Sequence, residues 1–176
     1  AVVVGAGGIG RRIMNLLHVF DVEVTAVRRR PEAVAEADRT VGVHDLPEIL
    51  PFQDVVIVAA ALTGDTHHMI GRAELESMRT DPILVNIARG RLIDTEAQLA
   101  DLEREQIAGA ALDVPDPEPL PDGHPLWEQQ RCLITPHTAD TMEILRPLIF
   151  ARIERNLRAF AADDELEGVV DPQAGY

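Results

Sequence analysis

The chain has a single cysteine, Cys132. An intrachain disulfide is therefore impossible, and a reducing, cytoplasmic setting is expected. Cys132 lies in the apolar run Cys132-Leu133-Ile134 and reads as a small buried strand residue. Long apolar runs are also missing. Asp54 and Asp65 bracket the longest candidate, which falls short of the roughly 20 residues of a membrane span. The first residues are strand-like, without the charged region and apolar stretch of a secretory signal. Positive charge is scarce, and the formal net charge of −14 argues against nucleic-acid binding through backbone phosphates. No His, Cys or carboxylate spacing suggests a metal site. Internal repeats and low-complexity linkers are absent as well.

What is present suits one globular domain: 176 residues, 46% of them hydrophobic and 26% charged. Five of the sixteen basic residues fall in the first thirty positions, as Arg11-Arg12 and Arg28-Arg29-Arg30. A local basic cluster on an acidic protein points to a small anionic ligand. Strand candidates are 1–4, 22–27, 54–61, 83–87, 107–112 and 132–135. Several are continuous β-branched runs, the pattern of parallel strands covered on both faces. Between them, Ile9, Ile13, Leu16, Leu17 and Phe20 outline one apolar helix face. Further helices are expected at 72–78 and at 95–104, the latter N-capped by Asp94. Five prolines between positions 114 and 125 exclude a helix or inner strand there. A long amphipathic helix using Ile144, Leu148, Ile149, Ile153, Leu157 and Phe160 should follow Thr141, with Pro147 in its first turn or kinking it. Strand–helix alternation of this kind implies right-handed crossovers and an α/β fold, a Rossmann-type doubly wound parallel sheet in three α/β/α layers.

Gly5-Ala6-Gly7-Gly8-Ile9-Gly10 directly follows the first strand and opens the first helix, the context a dinucleotide-binding turn requires. Gly5 permits the tight turn, Gly7 lets the backbone approach a pyrophosphate, and Gly10 allows close helix–strand packing. The N–H groups of Gly8, Ile9 and Gly10 begin a helix whose positive end faces the phosphates. About 20 residues on, an acidic side chain would bond the ribose hydroxyls of NAD. Here the second strand ends in Arg28 instead. Arg28 with Arg29 or Arg30 could pair with a 2′-phosphate, which favours NADP over NAD. The alternative is three arginines solvating an exposed loop while NAD binds through its pyrophosphate.

Three later motifs place polar groups just past strand ends: Val85-Asn86-Ile87-Ala88-Arg89-Gly90-Arg91-Leu92-Ile93-Asp94, Ala110-Ala111-Leu112-Asp113-Val114-Pro115-Asp116-Pro117-Glu118-Pro119-Leu120, and Leu133-Ile134-Thr135-Pro136-His137-Thr138-Ala139. In order and form they resemble the D-2-hydroxyacid dehydrogenase family, with its phosphoglycerate, glycerate, D-lactate and hydroxypyruvate/glyoxylate members. The resemblance covers nearly the whole chain. It implies Arg89, Glu118 and His137 as the catalytic set. Reducing a 2-keto acid needs a hydride at the carbonyl carbon and a proton at its oxygen, and histidine is the natural donor near neutral pH. Glu118 on its second ring nitrogen would favour imidazolium, and Arg89 would hold the substrate carboxylate and polarise the carbonyl. Asp113 matches a contact near the nicotinamide, and Thr66, Ala88 and Ala139 match positions lining the same cleft. The plainer alternatives are a strand-capping Arg89 paired with Asp94, a solvated Glu118 and a structural His137. His18, His44, His67 and His68 read as surface or packing residues. His124 and Trp127 resemble a loop at the family's domain interface.

Two departures stand out. Ala61 replaces the family's usual proline, and Asp140 stands where glycine is frequent, adding a negative charge. By resemblance, residues 1–140 form the NAD(P)-binding domain and 141–176 a helix and tail returning to a substrate domain. That domain would precede the glycine turn, and the start directly in a strand at Ala1 suggests a domain cut from a longer polypeptide. Such a piece would bind cofactor without turnover. A small 2-keto or 2-hydroxy acid substrate, phosphoglycerate- or hydroxypyruvate-like, and a homodimer are implied; nucleic acid and membrane are not. The competing class is a cofactor-sensing, corepressor-like interaction protein on the same fold.

Overall fold

A computed structural model describes residues 1–139 and 141–172. Two compact units divide the chain, Ala1–Pro136 and His137–Tyr176. The first is built on seven strands: β1 (Val2–Val4), β2 (Thr25–Arg28), β3 (Arg39–Gly42), β4 (Val55–Val58), β5 (Ile83–Asn86), β6 (Gly109–Leu112) and β7 (Cys132–Ile134). They form one sheet in the order β3-β2-β1-β4-β5-β6-β7, and every pairing is parallel. This is the doubly wound Rossmann-type arrangement that the alternating pattern implies. The strands are shorter than their apolar runs: β1, β2 and β6 start after the run begins, β5 and β7 stop before it ends, and β4 does both. β3 lies outside the patterned candidates. Arg39-Thr40-Val41-Gly42 holds only two strand-favouring residues, Thr40 and Val41, too short a run to stand out as a pattern, and is held by four paired positions on β2.

The helices of this unit are α1 (Gly8–His18), α2 (Leu46–Ile49), α3 (Arg72–Ser77) and α4 (Thr95–Glu103). Strand order and handedness together decide which face each one covers. The β1-to-β2 connection steps one way across the sheet and lays α1 on one face. The β3-to-β4, β4-to-β5 and β5-to-β6 connections step the other way, so right-handed crossovers put α2, α3 and α4 on the opposite face. The larger core accordingly joins Leu46 and Ile49 of α2, Leu75 of α3, and Ala97 and Leu102 of α4 to Val4, Val58, Leu84 and Leu112 of the sheet. The smaller core holds Met14 of α1 against Val3, Ala26 and Ile57. Each buried Val, Leu, Ile or Met among them contributes about 1.5–3 kcal/mol relative to its exposed state.

The α1 face differs from the expected one. Its buried line is Gly10 and Met14, flanked by half-buried Ile13 and Leu17, while Ile9 and Leu16 are exposed and Phe20 lies beyond the helix end. Gly10 explains the offset: with no side chain it reads as neutral in a hydrophobic pattern, yet it makes the closest approach to the sheet. Asp94 caps α4 as expected, its Oδ1 accepting from Ala97 N at 3.1 Å. Inside α4, Gln98 and Asp101 are buried, and Gln98 Nε2 and Asp101 Oδ2 find no hydrogen-bond partner.

On the α1 face, strand register aligns Ala26, Val3, Ile57, Val85, Ala111 and Leu133 in one row across the sheet. Exposure rises along it from 0% at Ala26 and Val3, through 7% at Ile57, to 64% at Leu133. Only the β1–β2 end of this face receives a crossover helix.

The second unit consists of α5 (Met142–Ala162) and its tail. Pro147 lies inside α5, beyond the first turn, and Asp163 closes it in a left-handed conformation, φ 58°. The tail folds back on the helix through Glu167. Its carboxylate accepts from Arg155 Nε and Nη2 at 2.9 Å each, and its backbone exchanges two bonds with the Asn156 amide. This bidentate pairing holds the Glu167 carboxyl below the usual carboxylate range. No residue of α5 is buried, so the apolar positions expected to form a packed face are exposed. Among the described residues, no helix is long and apolar enough to cross a membrane.

Candidate functional site

The glycine turn joins β1 to α1, and its glycines answer to different constraints. Gly5 has φ 108°, and a Cβ there would come within 2.5 Å of the Ala59 carbonyl oxygen. A Cβ on Gly10 would sit 1.9 Å from the Gly5 carbonyl oxygen. Both positions are dictated by the protein's own backbone. Gly7 and Gly8 have nothing within 4 Å of the same ideal atom, so no internal contact requires glycine there. What they leave open is approach to the start of α1. Gly8, Ile9 and Gly10 are its first three residues, whose N–H groups have no carbonyl of the same helix to bond. The first turn carries no acidic side chain. An open backbone ending in oriented donors fits a pyrophosphate.

Arg28 ends β2, beside this turn, for Gly5 N donates to the Val27 carbonyl at 2.8 Å. The Arg28 guanidinium is partly buried and meets Glu32: Nη2 lies 3.5 Å from the carboxylate, and Nη1 donates to the Glu32 carbonyl at 3.4 Å. Arg29 and Arg30 are exposed. Arg11, on α1, bridges the turn and the loop after β2. Its Nε donates to the Ala6 carbonyl at 3.3 Å and its Nη1 to Glu36 Oε2 at 3.1 Å. Asp38 anchors the end of that loop, accepting from Val24 N at 2.8 Å and meeting His18 Nε2 at 3.0 Å. The Val24 N–H and then His18 hold its carboxyl below the ordinary range.

The second half of the site follows β5 and β6. Arg89 is exposed, and its Nη1 donates to the Ala88 carbonyl at 2.6 Å. Asp94 caps α4 rather than pairing with it. The turn carrying Arg89 is braced from below by Asn86, which is 1% exposed. Asn86 Nδ2 donates to the Arg89 carbonyl at 2.9 Å, and its Oδ1 accepts from Ala88 N at 3.1 Å. Gly90 packs against the proline loop so closely that a Cβ would lie 2.3 Å from the Pro115 carbonyl oxygen. That loop contains cis peptides before Pro117 and Pro119 and presents Glu118 at the surface. Asp113 follows β6; its N donates to the Asn86 carbonyl at 3.0 Å, and its Oδ1 accepts the Thr135 hydroxyl at 2.5 Å. Asn86 and Thr135 carry no role in the sequence reading, and Arg11 enters it only as part of the basic cluster. The available signal was an amide ending the apolar run Ile83-Leu84-Val85, where an unpaired polar group could not be buried.

Thr66, in the loop after β4, is committed internally. Its Oγ1 accepts from Thr63 N at 2.8 Å and donates to the Ala61 carbonyl at 2.7 Å. The loop is thus tied at the position where Ala61 replaces a proline. The turn-bearing ends of β1, β2, β4, β5 and β6 all lie at the carboxyl edge of the parallel sheet, which gathers Gly5, Gly7, Gly8, Ile9, Gly10, Arg28, Arg29, Thr66, Ala88, Arg89 and Asp113 along one rim. His137 and Ala139 belong to the second unit. Both are exposed there, and His137 has φ 51°. Asp140 lies outside the described residues. His67 and His68 stack at 4.0 Å. Trp127 Nε1 donates to the Pro121 carbonyl at 3.1 Å. Among the described residues, no group of three or more His, Cys, Asp or Glu could hold a metal ion.

Comparison with known proteins adds to this geometry. Residues 1–139 match the family model described as D-isomer specific 2-hydroxyacid dehydrogenase, NAD binding domain. An uncharacterized protein in the proB 3′ region of Corynebacterium melassecola is 41% identical over 174 residues, which are 99% of this chain and 57% of that one. Glyoxylate reductase of Thermococcus gammatolerans is 35% identical over 158 residues, 90% of this chain and 47% of its own. The crystal structure of a D-isomer specific 2-hydroxyacid dehydrogenase from Xanthobacter autotrophicus Py2, in complex with NADPH and MES, aligns with a TM-score of 0.93 at 31% identity, covering 100% of this chain and 55% of that one. The chain therefore spans about half the length of the relatives it matches.

Proposed function

From the premise that this chain belongs to the D-isomer specific 2-hydroxyacid dehydrogenase family, we propose that it holds the cofactor of an NADP-preferring dehydrogenase acting on a small 2-keto or 2-hydroxy acid. The observation that carries the reading is the open backbone at Gly7 and Gly8, beside Arg28 and on the same rim as Arg89 and Asp113. When bound, the nicotinamide supplies or accepts the hydride at the substrate's C2. The residues of the chain do the rest. The N–H groups opening α1 bind the pyrophosphate, and Arg28 with Arg29 binds a 2′-phosphate. Asp113, fixed by the Thr135 hydroxyl and the Asn86 carbonyl, contacts the cofactor near the nicotinamide, and Thr66, Ala88 and Ala139 are further cofactor contacts. Arg89 grips the substrate carboxylate and polarises the carbonyl. His137 gives its ring proton to the carbonyl oxygen during reduction and takes it back during oxidation, with Glu118 favouring the imidazolium form.

The substrate is of the glyoxylate type, as the name of the Thermococcus relative suggests. The same reading carries a homodimer in the cytoplasm, to which the lone, half-buried Cys132 thiol is suited. Fluorescence titration tests the cofactor half: NADPH should bind more tightly than NADH, and binding of neither would end the reading. Steady-state assay of the full-length protein on a panel of 2-keto acids tests the chemistry. Turnover should be abolished by His137→Ala, with cofactor affinity retained.

A further inference from the structure

The loop 29–38 between β2 and β3 contains three carboxylates, and each is paired with a base. Glu32 meets Arg28, Glu36 meets Arg11, and Asp38 meets His18. The latter two bases come from α1, so Glu36 and Asp38 pin the loop to the helix. Glu32 is different, because its partner is the guanidinium placed to receive a 2′-phosphate. Its carboxylate lies 3.5 Å from Arg28 Nη2, and its side chain is 69% exposed.

We infer that Glu32 is an internal counter-ion that competes with the 2′-phosphate for Arg28 and thereby sets how strongly the site discriminates NADPH from NADH. The inference rests on the NADP-preferring reading above. The two cofactors differ only in that phosphate, so a competitor for Arg28 acts on one and not on the other. A second anion on the same guanidinium repels the carboxylate already there. Binding NADPH must either displace Glu32 or bear that repulsion, whereas NADH leaves the pair intact. The Glu32 side chain is well exposed, so its removal leaves the loop held by Glu36 and Asp38.

The experiment is a double-substitution cycle on the full chain, with NADPH, NADH, 2′,5′-ADP and 5′-AMP titrated against wild type, Glu32→Gln, Arg28→Gln and the double variant. Exposed ion pairs are weak, so Glu32→Gln should tighten NADPH and 2′,5′-ADP by about two- to fivefold. NADH and 5′-AMP should be unchanged, and the gain should vanish in the Arg28→Gln background. An equal gain with Arg28 absent would reduce the effect to general charge and overturn the proposal. So would no gain at all. A loss of NADPH affinity in Glu32→Gln would overturn it in the other direction, making Glu32 a support that aims Arg28. Failure of the underlying reading looks different: Arg28→Gln would then leave the NADPH-to-NADH ratio untouched.

Discussion

The two halves of the rim are built from different material. Around β1 and α1 the decisive features are backbone: an extreme φ at Gly5, a helix terminus, and glycines whose missing side chains let segments touch. Around β5 and β6 they are side chains: a buried amide under Arg89 and a hydroxyl on Asp113. A cradle made of backbone can hold the part that all its ligands share, the pyrophosphate. A cradle made of side chains can be altered residue by residue, which suits the substrate-facing role proposed for Arg89.

Within the backbone half, Gly10 and Gly7 should separate fold from binding. Gly10→Ala drives a Cβ to within 1.9 Å of the Gly5 carbonyl oxygen. Relief requires the helix to move, so a loss at the upper end of the ~1–3 kcal/mol of overpacking, or beyond it, is expected in chemical denaturation, together with loss of cofactor binding. Gly7→Ala meets nothing within 4 Å and should leave the melting temperature unchanged, while weakening cofactor binding about tenfold or more, a loss of at least ~1.4 kcal/mol. Equal destabilisation by the two would erase the distinction between them.

In the other half, Asn86→Ala strips partners from the Arg89 carbonyl and the Ala88 N–H. A stability loss of about 2–3 kcal/mol is expected, read as a shifted denaturation midpoint. Turnover should fall more than cofactor affinity, and the reverse would place Asn86 with the cradle. Asp101 bears on the fold behind both halves. Burial raises its carboxyl above the ordinary range, only partly opposed by Arg104. A pKa higher in the folded than in the unfolded state means the native chain holds that proton more tightly. Stability therefore falls as pH rises from the unfolded value through the folded one, and the cost persists above it. Asp101→Asn should gain roughly 1 kcal/mol at pH 7, and the gain should shrink as the buffer is acidified. The smallest effect is expected at Cys132, on β7. Burial pushes its thiol up to about 11, so little thiolate is present at pH 8. Alkylation should be far slower than for a free thiol, accelerating only on unfolding.

Much of this was legible beforehand, for identifiable reasons. Parallel strands buried on both faces leave short apolar runs, several of them β-branched, and six of the seven strands announce themselves that way. Asp94 marked its helix because capping is local chemistry. β3 did not show, since two strand-favouring residues between Arg39 and Gly42 make no pattern and its pairing with β2 does the rest. The α1 face was displaced because hydrophobic patterning cannot register Gly10, whose contribution is the absence of a side chain. The positions of Arg28, Arg89 and Asp113 followed from strand ends. The braces beneath them did not, because a hydrogen bond between a side chain and a distant carbonyl leaves no periodicity. Glu32 belongs to the same class: one more acid in an acidic chain until its distance from Arg28 is known.

The row from Ala26 to Leu133 has a consequence for how this sequence can drift. One line of six side chains crosses from dry to wet without leaving the sheet. Substitutions at its β1–β2 end are filtered by volume, where a single methyl group too many or too few is felt. At Leu133 that filter is gone, and a threonine or a glutamine meets no steric objection from the α1 side of this unit. A saturation library along the row would grade from near-intolerance to near-indifference, a ruler of cover that the crossover handedness laid down and that no single position reveals.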